Sequence, residues 1–162
     1  MRFSALLITL AFGCATASAA GVKIERMLPE YMPASSFARV SEFFDGKENT
    51  RGATVLRTQS SSRDGFYFNL RTRCESAIDV AWVELQIITP AAPEVRTESF
   101  AVSLPKGSHL IRFGVTGKDW PGPKARPVAW KLRLIEADGA ELASEQSYLW
   151  AKPDAPIAAK TN

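Results

Sequence analysis

The sequence predicts an all-β sandwich of about seven to nine strands. Three observations lead there. Apolar residues recur with period two along most of the chain. Turn residues punctuate the alternating runs at short intervals. No stretch carries a long helical pattern, so helices do not supply a layer.

The 162-residue chain opens with MRFSALLITLAFGCATASAAG. Arg2 is a charged start, Phe3 to Phe12 is a short apolar run, and Ala17-Ser18-Ala19 offers small residues for cleavage. Residues 1–20 therefore read as a signal peptide cut near Ala19 or Ala20, and the protein as periplasmic or secreted. A lipoprotein signal on Cys14 is the less favoured alternative, because Phe12 and Ala11 fit it poorly. No later apolar run is long enough to span a bilayer. Residues 21–150 form one sandwich domain, and 151–162, AKPDAPIAAKTN, read as a disordered tail.

The strands follow in order. Val22 to Met27 and Thr54 to Thr58 are weaker candidates. After the turn Arg63-Asp64-Gly65, Phe66, Phe68 and Leu70 share one face; Tyr67, Asn69 and Arg71 share the other. Ala81, Val83, Leu85 and Ile87 alternate with Trp82, Glu84 and Gln86. The turn at Pro90 to Pro93 leads into Glu94 to Leu104. His109, Ile111, Phe113 and Val115 then alternate with Leu110, Arg112 and Gly114. Val128, Trp130, Leu132 and Leu134 alternate with Ala129, Lys131 and Arg133. The segment SSFARVSEFFDG places Phe37, Val40, Ser41 and Phe44 at helical spacing, but its Val and Phe content and early Gly stop favour a strand.

The last hairpin turns at Asp138-Gly139. A two-residue loop sets Leu134 opposite Ala143. A three-residue loop over Asp138-Gly139-Ala140 sets Leu134 opposite Ser144 and Trp130 opposite Tyr148. The second puts Leu142, Tyr148 and Trp150 on the core face and is the predicted register. The layout of short alternating strands, a Trp in a central strand (Trp82) and a closing hairpin resembles an immunoglobulin-like antiparallel sandwich. The Cys-Trp-Cys signature of antibody domains is absent.

Composition removes several function classes. Without residues 1–20 the chain has nineteen Lys plus Arg against seventeen Asp plus Glu, too even a balance for nucleic-acid binding. It keeps one cysteine, Cys74, so no internal disulfide forms and the thiol reads as buried and inert. The one histidine, His109, shares strand parity with Ile111 and Phe113, and no G-x-S-x-G elbow accompanies it. One His and one Cys cannot build a zinc site, Asp45 to Thr50 lacks EF-hand spacing, and no phosphate loop precedes a helix. No cofactor and no catalytic residue is expected.

Two features stand out as binding candidates. The first is a basic face. Arg71, Arg73, Arg112, Lys131 and Arg133 lie on outward parity, and neighbouring strands would gather them with Tyr67 into a cationic, partly aromatic patch. Against this stands plain solvation, with Glu75 and Glu145 as counter-charges. The second is TGKDWPGPKARP, residues 116–127. Its three prolines stiffen an interstrand connection, and Pro121 holds Trp120 extended. Trp120 either plugs the end of the sandwich or, with Lys118, Lys124 and Arg126, forms a binding tip. The favoured reading is a non-catalytic module that binds a protein or an anionic envelope polymer. The alternatives are a carbohydrate-active enzyme or accessory subunit, and a structural subunit that adds a strand to a neighbour's sheet.

Overall fold

A computed structural model describes residues 21–151. The expected signal peptide lies outside the described residues, as does the expected tail apart from Ala151. The strands are β1 (Val22–Met32), β2 (Thr54–Arg57), β3 (Gly65–Cys74), β4 (Ile78–Thr89), β5 (Ala92–Leu104), β6 (Gly107–Thr116), β7 (Ala129–Glu136) and β8 (Glu141–Gln146). They form two four-stranded sheets, ordered β1-β3-β6-β2 and β5-β4-β7-β8. The class is the predicted all-β sandwich. All pairings are antiparallel except β2 with β6, which is parallel.

The period-two pattern builds the core. Phe66, Phe68 and Leu70 from the first sheet meet Ala81, Val83, Leu85, Ile87, Leu132 and Leu134 from the second, and all are buried. Each large apolar side chain buried this way contributes about 1.5–3 kcal/mol. Cys74 lies in the same core as a free thiol, and burial pushes its pKa up. Trp82 points outward and is 42% exposed, so the core tryptophan of antibody domains has no counterpart there. Trp130 instead packs edge-on against Phe68 at 5.2 Å.

Two expectations are corrected. Residues 34–45 form a 3-10 turn (Ala34–Ser36) and a single-turn helix α1 (Glu42–Asp45), not a strand. Only Phe37 of this segment's apolar residues is buried, so alternation had no second face to satisfy. The final hairpin also takes a different register. Glu136 N–H donates to Ala140 O at 2.8 Å, closing a loop over 137–139. The pairing then steps from Ile135–Glu141 to Leu134–Ala143, leaving Leu142 as an extra, bulged residue. The bulge lets Leu142 and Ala143 both reach the core. Trp130 is met by Ser147, whose N–H donates to its carbonyl, and the chain then turns into α2 (Tyr148–Ala151). Tyr148 is 81% exposed rather than inward.

Candidate functional site

The proline-rich loop closes one end of the sandwich. Gly117–Asp119 make a 3-10 turn, and Trp120 leaves it extended, at φ −118 and ψ 131. Its ring stacks on Phe66 at 4.7 Å between centroids, its Nε1–H donates to Gly122 O at 2.8 Å, and only 5% of the residue stays exposed. Trp120 is a plug. Lys118 and Lys124 stand exposed around it, while Arg126 donates to the carbonyls of Pro123 and Ala125 and lies 6.0 Å over Phe66. These cations therefore lack the open aromatic that a binding tip requires. Beside the plug a pocket of about 250 Å³ is lined by Ile87, Glu94, Arg96, Lys118, Asp119 and Pro121 among others. Burial works to raise the Asp119 carboxyl's pKa. Hydrogen bonds from Gln59, Thr58 and Arg96 outweigh it and hold the group below the ordinary carboxylate range. The carboxylate is tied to Gln59 and Arg96.

The basic face divides. β7 belongs to the second sheet, so Lys131 and Arg133 lie on the opposite side of the sandwich from Arg71, Arg73 and Arg112. Arg133 is paired with Glu84 and Glu141. Arg73 is paired with Glu25, which bulges from β1. Glu25, Glu84 and Glu141 thus act as counter-charges here, rather than Glu75 and Glu145. Strand parity is a local property, whereas sheet membership depends on which strands pair, and the two are independent.

Tyr67 is also corrected: it is outward by parity yet fully buried. The segment after β1 folds over it. Phe37 packs on its ring at 4.9 Å, and Gly114 on the neighbouring strand leaves room for that ring. Its hydroxyl donates to Arg63 O at 2.7 Å and accepts from Arg57 Nε at 2.9 Å. Arg57 then forks onto Glu48 and lies 4.9 Å over Phe37. Bonding to Arg57 depresses the Glu48 pKa, and the same bond raises that of Arg57. Burial pushes the tyrosine hydroxyl up. A small second core therefore seals one end of this outer face.

The rest of the outer face remains open. Asn69 and Arg112 are cross-strand neighbours, and Arg71 stands opposite Arg26 on β1 and Leu110 on β6. Arg26, Leu28, Asn69, Arg71 and Leu110 line a shallow pocket of about 140 Å³. Asn69 Nδ2 donates to Glu30 Oε1 at 2.9 Å, which fixes the amide's orientation. Asn69 Oδ1 and Arg112 Nε are then both buried without a hydrogen-bond partner. Sequence reading named Arg71 and Arg112 but missed Arg26 and Asn69. Arg26 stands just beyond the bulge between Ile24 and Arg26, which shifts its pairing, and Asn69 reads as a neutral strand residue.

His109 sits at the sandwich end away from Trp120. Its Nε2 and Thr54 Oγ1 are 2.8 Å apart, and Asp79 and Ser103 line the adjacent pocket of about 290 Å³. Among the described residues no carboxylate hydrogen-bonds the imidazole, so the orienting member of a nucleophile–base–acid chain is missing from this arrangement. Among the described residues no three or more His, Cys, Asp or Glu side chains converge as metal ligands. Among them, too, no helix is long and apolar enough to cross a membrane.

Fold and surface together define a β-sandwich whose most distinctive polar feature is a cationic, incompletely hydrogen-bonded sheet face. No family model matches the sequence, and no curated protein does. Among solved structures, the crystal structure of an immunoglobulin-like protein from Pseudomonas aeruginosa is similar over 80% of this chain and 97% of its own, at 16% identity and a TM-score of 0.32. At that level the likeness carries no argument, and the fold rests on the two sheets themselves.

Proposed function

We propose that this chain is a non-catalytic binding module, exported by its first twenty residues, which engages an anionic envelope polymer through the outer face of β1, β3 and β6. One observation carries the reading: Arg26 and Arg71 stand opposite each other on β1 and β3 and flank a shallow pocket that Leu28, Asn69 and Leu110 also line. A polymer that presents acidic oxygens suits the guanidinium groups of Arg26 and Arg71. Leu28 and Leu110 offer apolar contact to the polymer backbone.

The test is retention on immobilised polygalacturonate and polyglycerol phosphate across a salt series. The wild-type protein should be retained and released by salt, because exposed charge pairs are screened. Arg26→Ala/Arg71→Ala should weaken retention by about a hundredfold or more, as two charge-assisted contacts each contribute about 1.5–3 kcal/mol. Equal retention of the double variant would remove the cleft from the reading. The edge strand β5 favours a second reading, strand addition, since it runs thirteen residues without a lysine and has its one proline near its start. Val95→Lys would then abolish partner capture while Arg26→Ala/Arg71→Ala left it intact.

A further inference from the structure

The segment that seals Tyr67 also carries the most exposed aromatic residues among those described. Phe43 is 95% exposed, Phe44 87% and Val40 80%. Positions 40, 43 and 44 fall on one side of the turn around α1. Left in water, three such side chains forfeit the burial that would otherwise stabilise the fold. Their base is held firmly. Phe37 packs on Tyr67, Glu42 pairs with Arg63, and Glu48 pairs with Arg57. Gly46, at φ 66, ends the helical turn and carries the chain away from it.

We propose that Val40, Phe43 and Phe44 form an anchor that inserts into the interface of an anionic lipid bilayer. Near-complete exposure means that the tip is convex, so a deformable phase receives it without needing a matching pocket. Charge points the same way. Within residues 38–52, Glu42 and Glu48 are neutralised by Arg63 and Arg57 from the sandwich. Lys47 and Asp45 cancel in the count, so Arg39 and Arg51 give the segment a formal balance of +2. Apolar side chains flanked in sequence by cations on a short helical turn have the chemistry of interfacial attachment to acidic headgroups. The anchor does not rest on the arginine cleft, although both lie on the same outer side of the first sheet.

The experiment is vesicle co-sedimentation of the chain from residue 21 onward, which contains both sheets entire and lacks the apolar leader. Vesicles of phosphatidylglycerol with phosphatidylcholine are compared with phosphatidylcholine alone. The wild-type protein should bind the anionic vesicles, with binding at least tenfold weaker to the neutral ones. Phe43→Ser/Phe44→Ser should lose about a hundredfold of that binding, since each buried ring is worth about a decade in affinity. Its melting temperature should be unchanged, because the side chains it alters touch water. Arg51→Glu should reduce the preference for anionic vesicles, and Arg26→Ala/Arg71→Ala should leave vesicle binding intact. Three results would overturn the anchor: no binding by the wild-type protein, equal binding by the serine variant, or a wild-type dimer that the serine variant converts to monomer. The last would assign the tip to a second copy of the chain.

Discussion

Gly114→Ala gives a demanding test of the second core beneath the 33–53 segment. A Cβ built on Gly114 would sit 2.4 Å from Tyr67 Cε1, 2.7 Å from Cζ and 2.8 Å from Cδ1. Normal contact is about 3.5–4.0 Å, so the ring must move by about 1 Å. It cannot move freely. Its hydroxyl is tied to Arg63 O and Arg57 Nε, and Phe37 covers it. Overpacking costs about 1–3 kcal/mol, and loosening the bond to a charged donor costs about 1.5–3 kcal/mol more. The expected loss is about 3–5 kcal/mol, a fall of roughly 10–20 °C in melting temperature for a domain of this size. The assay is thermal and urea denaturation of wild type, Gly114→Ala, Tyr67→Val and the double variant. Tyr67→Val removes the ring atoms that clash, so Gly114→Ala should cost about 1 kcal/mol or less in that background. Additivity of the two changes within about 0.5 kcal/mol would refute the packing argument.

Three further outcomes are expected. Trp120→Ala should destabilise the fold by about 3–5 kcal/mol, the range for emptying a buried aromatic site; an unchanged melting temperature would mean that the ring does not plug the core. Cys74 should resist thiol reagents in the native state and titrate as one free thiol after unfolding of the chain from residue 21 onward, as burial both shields it and raises its pKa. Glu48 has a depressed folded pKa, so its ion pair stabilises fully above the unfolded value of about 4.3 and progressively less as pH falls through the folded one. Glu48→Gln should therefore flatten the acid limb of a plot of melting temperature against pH, while an identical limb would deny Glu48 that role.

The sequence alone determined the class and most of the core. Alternation with period two is a consequence of the pleat, so Phe66, Phe68, Val83, Leu85, Phe113 and Leu132 could be assigned inward without knowing any partner strand. It left Trp120 between plug and binding tip, and only the stack on Phe66 decided for the plug. What it could not carry was the outer surface. Lys131 and Arg133 read as outward, just as Arg71 and Arg112 do; they parted from them because β7 pairs with β4, a choice made by long-range packing. Tyr67 reads as exposed by parity, and only the fold-over of residues 33–53 onto that face buries it. The hairpin register turned on a bulge at Leu142, whose extra residue breaks the strict alternation from which register is inferred. Parity is encoded within each strand; covering, sheet membership and bulges are settled between segments far apart in the chain, and the cleft of Arg26, Asn69 and Arg71 exists only there.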